Sequence, residues 1–301
     1  WRMPIASMDD GYKTKAWRGF LFGLACLNVS LYIHFVRRDE LSCLATSNAD
    51  RLTTGVLGNV SYQMAMQILA FPYVFQTSWR CIFISEYPNR RTITDHPLNS
   101  VLVARLLAAL GEFCFGVQLA LGLYVACAPA FALHPEVLMG LAACLVSFDG
   151  IGQCCATYGT IVGSNLPFFV EGIMWVGIFA VSMFLAATNI VLLPFDVTST
   201  TTFFSWLVVI LTMPGLLYMT MGYCPLCWEA WRQEVFRGQS TKPLLQGDAK
   251  SIPFFAKAWE ALTYRAPTQA WDVWSHEFTW QTLYFTVGTW SSIGFVALPL
   301  Q

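Results

Sequence analysis

Residues 99–127 read NSVLVARLLAALGEFCFGVQLALGLYVAC, and only Arg105 and Glu112 are charged among them. A helix rises about 1.5 Å per residue, so this segment is long enough to cross the ~30 Å hydrocarbon layer of a bilayer. Its Leu, Ala and Gly residues are typical of packed membrane helices, and they do not alternate as the strands of a barrel would. The segment therefore predicts a transmembrane helix that carries two ionisable groups.

The rest of the chain is similarly apolar. Of its 301 residues, 56% are hydrophobic and 12% are charged, and the mean hydropathy is +0.53; soluble domains carry about 25% charged residues. Six more windows could span a bilayer: Trp17 to Phe35, Gly55 to Phe75, Glu136 to Ile161, Leu166 to Leu192, Thr201 to Tyr223 and Phe278 to Leu298. We predict an all-α, polytopic integral membrane bundle of about seven transmembrane helices.

The bundle is predicted to form one membrane domain with three regions. Residues 1–223 hold six spans, residues 224–277 form a polar loop, and residues 278–301 hold the seventh span.

The positive charges predict the orientation of the bundle. Lysine and arginine gather before the first span, after the second and after the sixth, whereas Arg37, Arg38 and Arg51 alone lie on the opposite side. The N-terminus and the polar loop are therefore expected to face the cytoplasm, matrix or stroma. The membrane itself, plasma or organellar, stays open.

Within the polar loop, the stretch from Pro253 to Tyr264 has the composition of a helix lying in the membrane interface. Phe254, Phe255 and Trp259 stand there beside Lys257, and this mixture favours the boundary between headgroups and acyl chains. The tryptophans that follow are typical of an aromatic belt before the last span: Trp271, Trp274 and Trp280. We expect an interfacial anchor, with a docking surface for a partner as the alternative.

Several classes of membrane protein are excluded by missing residues. A retinal Schiff base needs a lysine in the last span, and Phe278 to Leu298 contains none. Among four histidines only His34 lies inside a predicted span, which is too few for a bis-histidine haem or a membrane zinc hydrolase. The formal net charge of -1 gives no basic excess for a nucleic acid. The cofactor stays unknown, and bound lipids are the expected partners.

Four ionisable residues inside the predicted spans are candidate functional groups: Arg105, Glu112, Asp149 and Glu171. Each costs at least about 2.5 kcal/mol to insert. Arg105 and Glu171 are expected ~8 Å inside the basic side, and Glu112 and Asp149 at ~18 Å, near the midplane. The four are therefore predicted to form two layers.

The spacing of these residues predicts how they meet. Asp149 and Gln153 share a helix face at i,i+4, and Arg105 can pair with Glu171 across helices. Glu112 and Asp149 then have no evident basic partner, and such neighbouring carboxyls can share a proton. The alternative is that these groups only hold helices together, since an interhelical hydrogen bond contributes about 0.6 kcal/mol on average.

A weaker pattern is the Cys224-Pro-Leu-Cys227 pair at the end of the sixth span. With Cys81 and His96, predicted on the same side, it could form a zinc site, or it could act as a redox dithiol. A lone pair of this spacing has low specificity, so ordinary thiols are the default.

Three functions remain open from the sequence. The first is a transporter or channel that moves protons, ions or a small solute past Glu112, Asp149, Arg105, Glu171 and Gln153. The second is a non-catalytic scaffold subunit of a larger respiratory or photosynthetic complex, or a homo-oligomer. The third is an enzyme acting on a lipid or quinone, which we favour least because no soluble-type active-site motif is present.

Overall fold

The computed structural model describes residues 8–40, 60–87, 90–193, 199–237 and 252–298, and 84% of the described residues are helical. The helices are, in chain order, α1 (Met8–Glu40), α2 (Tyr62–Ile82), α3 (Val101–Cys127), α4 (Pro135–Val162), α5 (Leu166–Leu192), α6 (Thr200–Tyr218), α7 (Cys224–Arg237), α8 (Phe254–Thr263), α9 (Trp271–Leu283) and α10 (Thr289–Ala297). Two π-turns, Met219–Tyr223 and Tyr284–Gly288, join α6 to α7 and α9 to α10. Each joined pair therefore runs as one continuous helix.

Five helical segments are long and apolar enough to cross a membrane. They are Gly11–Arg37, Val101–Cys127, Pro135–Val162, Leu166–Leu192 and Thr200–Phe236. The predicted helical membrane architecture is confirmed to this extent. Neither α2 nor the α9–α10 segment is among the five, so the count of seven and the sidedness of the N-terminus stay predictions.

The second predicted span lies further along the chain than expected. Helix α2 begins after Ser61, whose hydroxyl accepts the N–H of Met64 at 3.2 Å, and it continues to Ile82, beyond the predicted end at Phe75. The polar residues that follow Phe75 had indicated a loop, but Gln76 is fully buried inside the bundle. A buried polar side chain needs a protein partner rather than water, and here the neighbouring helices supply one. Residues 55–59 of the predicted span and Arg51 lie outside the described residues.

Helices that follow one another in the chain pack side by side. Helix α3 touches α2, α4, α5, α6 and α10, which makes it the central element of the bundle. One apolar cluster fills the space around the second half of α3, and Leu123, Phe204 and Phe295 are among its fully buried members. A second cluster joins α1 to α9 through Trp17, Leu21 and Trp274. The central position of α3 means that its polar residues face protein rather than lipid.

One end of the bundle is marked by a three-stranded sheet of β1 (Ser85–Glu86), β2 (Arg91–Thr92) and β3 (Ala266–Pro267), and we call it the sheet end. Strand β2 pairs antiparallel with β1 and parallel with β3. The start of α1 reaches this end, where the Thr14 hydroxyl donates to the Gln269 carbonyl at 2.9 Å. The end of α4 reaches it too, because Arg90 Nη2 donates to the Ile161 carbonyl at 3.1 Å. Successive long helices therefore alternate in direction.

The predicted interfacial segment is helical, as α8, and two of its aromatic side chains are among the most exposed in the protein. Phe255 is 84% exposed and Trp259 is 66% exposed, whereas Glu260 is buried and pairs with Arg90 at 2.6 Å.

The prediction of an aromatic belt before the last span is wrong for Trp274. Trp274 is fully buried, and its Nε1 donates to the Thr268 carbonyl at 3.0 Å, because α9 packs against α1 instead of facing the headgroups.

The Arg90–Glu260 pair yields a test of how α8 is held. Glu260→Ala leaves the buried Arg90 guanidinium without its carboxylate, which typically costs about 3–5 kcal/mol. We expect a clearly lower unfolding temperature for the detergent-solubilised variant. Glu229→Ala is the matched control, because Glu229 forms an exposed pair with Arg232 and such pairs contribute about 0–1 kcal/mol. Equal unfolding temperatures for both variants and the wild type would contradict this assignment.

Candidate functional site

A single guanidinium lies at the centre of the candidate site. Arg105, near the start of α3, is 3% exposed. Its Nη2 donates to Glu112 Oε2 at 2.9 Å and to Gln153 Oε1, and its Nη1 lies 3.6 Å from Glu171 Oε1. These contacts join α3, α4 and α5. The planar, five-donor guanidinium suits this role, because it can serve several acceptors at fixed angles.

A second arginine, which lies beyond the predicted end of the second span at Phe75, also belongs to the site. Arg80 is in the last turn of α2, 8% exposed, and its Nη1 lies 3.9 Å from Glu112 Oε1. Its guanidinium carbon also lies 5.0 Å from the ring centre of Tyr284 and 5.4 Å from that of Phe285. Glu112 therefore has two basic neighbours, and the prediction that it has none is wrong. The residues next to Arg80 in the sequence are polar, and they indicated that the span ends before it. Its burial inside the bundle was therefore not predicted.

Each π-turn places a tyrosine hydroxyl on one of the two glutamates. Tyr223 donates to Glu171 Oε2 at 2.9 Å, and Tyr284 donates to Glu112 Oε1 at 2.5 Å. Tyr284 in turn accepts a hydrogen bond from Gln76 Nε2 at 3.0 Å. Single π-turns within α-helices are rare and are frequent at functional sites. Neither tyrosine was predicted, since nothing in the local sequence marks a π-turn or says which helix it will face.

Asp149 lies at the inner end of the site and is fully buried. Its Oδ1 accepts a hydrogen bond from Gln153 Nε2 at 3.0 Å, whereas its Oδ2 has no hydrogen-bond partner among the described residues. The carboxyl group packs against Gly116, where an added Cβ would lie 2.0 Å from Oδ2. Gln153 thus connects Asp149 to Arg105, and the absent side chain of Gly116 makes room for the carboxyl group.

Together these side chains form a continuous buried column, which we call the buried network: Arg80, Arg105, Glu112, Asp149, Gln153 and Glu171. Arg105 and Glu171 lie ~6–8 Å along their helices from the sheet end, and Asp149 lies ~20 Å from it, at 1.5 Å per residue. The five residues predicted for transport are therefore brought together. The predicted pair of Arg105 with Glu171 forms. The two predicted layers are not separate, because Arg105 also pairs with Glu112 on its own helix.

No family model, curated protein or solved structure matches this chain.

A tyrosine covers the buried network at the sheet end. The ring centre of Tyr87 lies 5.1 Å from the guanidinium carbon of Arg80 and 5.5 Å from that of Arg105, which are cation–π distances. The Tyr87 hydroxyl donates to the Ala104 carbonyl at 3.4 Å. Burial raises the pKa of Tyr87 above its ordinary value, so this phenol stays neutral beside the two cations.

The cysteine and histidine residues considered for zinc are not brought together. Among the residues that the structure describes, no group of three or more His, Cys, Asp or Glu side chains could hold a metal ion. Cys81 packs in the second apolar cluster, and His96 lies against the Phe83 ring. Cys224 and Cys227 both belong to α7, and the Cys224 sulfur lies against Gly172. Helix α7 continues where a loop was expected, and this keeps the pair away from the other two.

Removing the central cation should destabilise the protein. Arg105→Met leaves Glu112 and Glu171 buried without this partner, and breaking a buried ion pair costs about 3–5 kcal/mol. We expect a markedly lower unfolding temperature in detergent. Adding Glu171→Gln to Arg105→Met should recover much of the loss, because Glu112 keeps Arg80 as a neighbouring cation and the carboxylate that had only Arg105 becomes neutral.

The control for this series is Arg232→Met, which removes an exposed arginine that is 54% accessible. Its effect should stay below about 1 kcal/mol. An Arg105→Met protein as stable as the wild type would show that the guanidinium does not hold the glutamates.

Proposed function

We propose that this chain is an integral membrane transporter that moves protons or another small ion through the buried network. The observation that carries the proposal is the network itself: two guanidinium groups and three carboxyl groups, all less than 9% exposed, lie between helices in an apolar bundle. An ionisable group inside a membrane is costly, and such groups mark ion pathways and proton relays.

The proposal includes seven spans with the sheet end on the cytoplasmic, matrix or stromal side. Alternating helix directions support it, and so does the gathering of cations at the sheet end, where Lys15, Arg91, Lys257 and Arg265 lie. Helix α2 and the α9–α10 segment are the less apolar spans. Their polar residues are used inside the bundle, since Gln76 donates to Tyr284 and Tyr284 donates to Glu112, which explains why these spans carry them.

Helix cohesion alone would not require charged groups. The opposite half of the same bundle is linked by neutral groups: Gln118 Nε2 donates to the Ser292 carbonyl at 2.9 Å, and Asn189 Nδ2 donates to Ser205 Oγ at 2.8 Å. Neutral bonds of this kind avoid the insertion cost of at least about 2.5 kcal/mol for each charge. The concentration of ionisable groups in one half therefore favours a functional role over a purely cohesive one.

The shape of the buried network favours alternating access over an open channel. The polar column runs from the sheet end to Asp149, and beyond it the interior is the apolar cluster around Leu123, Phe204 and Phe295. An ion that reaches Asp149 needs a rearrangement of the second half of the bundle before it can leave. Rigid-body rocking of helices around a fixed central site is a known solution to this problem.

Flux measurements in proteoliposomes test the proposal. Purified protein should dissipate an imposed pH gradient, read by a pH-sensitive dye trapped inside the vesicles. Glu112→Gln and Asp149→Asn should lower the rate at least about tenfold, the effect of 1.4 kcal/mol on a barrier, while the helical circular dichroism is retained. Glu136→Gln is the matched control, because Glu136 begins the helix of Asp149 and its side chain is 66% exposed.

Two results would contradict transport. One is flux that is unchanged in both carboxyl variants. The other is a tight vesicle without flux, combined with co-purification of the chain in a large complex in mild detergent. The second result would favour the scaffold subunit.

A further inference from the structure

Asp149 is the one carboxyl group of the buried network that has no cation within ion-pair distance among the described residues. Glu112 has Arg105 and Arg80, and Glu171 has Arg105. The two arginines and the two glutamates therefore balance in charge. An ionised Asp149 would add a negative charge without compensation, and burying such a charge is far more costly than burying a neutral carboxyl group.

On the side that faces α3, no space for a metal ion is left beside the free oxygen of Asp149. The position that a Cβ on Gly116 would take lies 2.0 Å from Oδ2 and 2.8 Å from Cγ. The carboxyl group thus fills the volume of the missing side chain and rests on the α3 backbone. A cation bound between Oδ2 and Gly116 would have to separate α3 from α4.

Asp149 also lacks the further side-chain ligands that a cation would need, since no group of three or more His, Cys, Asp or Glu side chains among the described residues could hold a metal ion. Metal ions such as Ca²⁺ take six or more oxygen ligands, and filters for K⁺ use rings of free backbone carbonyls. The polar group that is hydrogen-bonded to Asp149, Gln153 Nε2, is a donor and bonds to Oδ1. Helices α3 and α4 are uninterrupted at Gly116 and Asp149, so their carbonyls are engaged in helical hydrogen bonds.

We propose that Asp149 binds a proton and excludes metal cations, and that Gly116 determines this selectivity by seating the carboxyl group against α3. The proposal rests on the transport function above and names its substrate. In the binding step one proton adds to the Asp149 carboxylate, which becomes a neutral carboxylic acid, and release restores the carboxylate. Gln153 is a positioning residue. Its Nε2 donates to Asp149 Oδ1, and its Oε1 accepts a hydrogen bond from Arg105.

The titratable groups around Asp149 come from three neighbouring helices. They are Tyr73 on α2, Arg105, Glu112 and Cys114 on α3, and Glu171 on α5. The two glutamates oppose a further negative charge, whereas Arg105 is already shared between them. This arrangement lets Asp149 exchange its proton while the ion pairs of the other groups stay intact.

Infrared difference spectroscopy reads the state of Asp149 without any transport. The purified wild type at neutral pH should show the carbonyl stretch of a buried protonated carboxyl group, shifted in deuterated water. Asp149→Asn should remove the band, Asp149→Glu should move it, and Glu136→Gln should leave it unchanged. Replacing choline by sodium, potassium or lithium at constant pH should not alter it.

A second variant tests the role of Gly116. Gly116→Ala places a methyl group where the carboxyl group now lies, so it should displace Asp149, shift the infrared band and lower proton flux at least tenfold. Gly140→Ala on α4 is the matched control, because a Cβ there meets no atom within 4 Å. An unshifted band in Gly116→Ala would overturn the role of this glycine.

The outcomes separate this proposal from the transport function. A band that is absent from the wild type, kept in Asp149→Asn or removed by an alkali cation overturns proton binding at Asp149. A band that behaves as expected in vesicles without proton flux leaves the proton site standing and contradicts transport instead. If Asp149→Asn does not fold, the shift of the band in Asp149→Glu decides the assignment.

Discussion

The bundle depends on the buried guanidinium of Arg105, which is shared by two carboxylates from different helices. A charge in a low-dielectric interior needs an opposite charge and hydrogen bonds, and Arg105 finds Glu112 on α3, Glu171 on α5 and Gln153 on α4. These partners fix the rotation of three helices about their axes. Each of the three must present its polar face to the same point, so the surrounding apolar faces are directed outwards to lipid.

The two π-turns and two glycines of α3 shape the backbone around Arg105 and its carboxylates. The two π-turns bring Tyr223 and Tyr284 onto the glutamates. Gly111 and Gly116 let α3 approach its neighbours closely, since a Cβ at these positions would clash with Gln76 and Asp149. Small residues allow membrane helices to approach in this way, and polar side chains then bond across the contact. Local deviations from a regular helix are therefore concentrated around the buried network.

The two halves of the bundle differ in their physical character. Near the sheet end, the interior is ionised and is covered by Tyr87, whereas the opposite half is apolar and is linked by amide and hydroxyl groups. A carboxyl group at the boundary between the halves, Asp149, can change its charge without breaking an ion pair. In the proposed transport cycle, a group in this position would couple the binding of a proton to a rearrangement of the apolar half, because no buried charged side chain among the described residues lies in that half.

By itself, the sequence determined that the chain forms apolar helices of membrane-spanning length and that Arg105, Glu112, Asp149, Gln153 and Glu171 lie inside them. Both properties follow from composition over windows of about 20 residues, which is local information. Tertiary structure alone decided that α2 extends to Arg80, that Glu112 has two neighbouring cations, and that Asp149 has none within ion-pair distance in the described part of the chain. Such pairings join residues as distant as Glu112 and Tyr284, 172 positions apart. They depend on the rotation and depth of each helix, which hydropathy averaged over a window of about 20 residues does not encode, because the average does not say which neighbour a polar face meets.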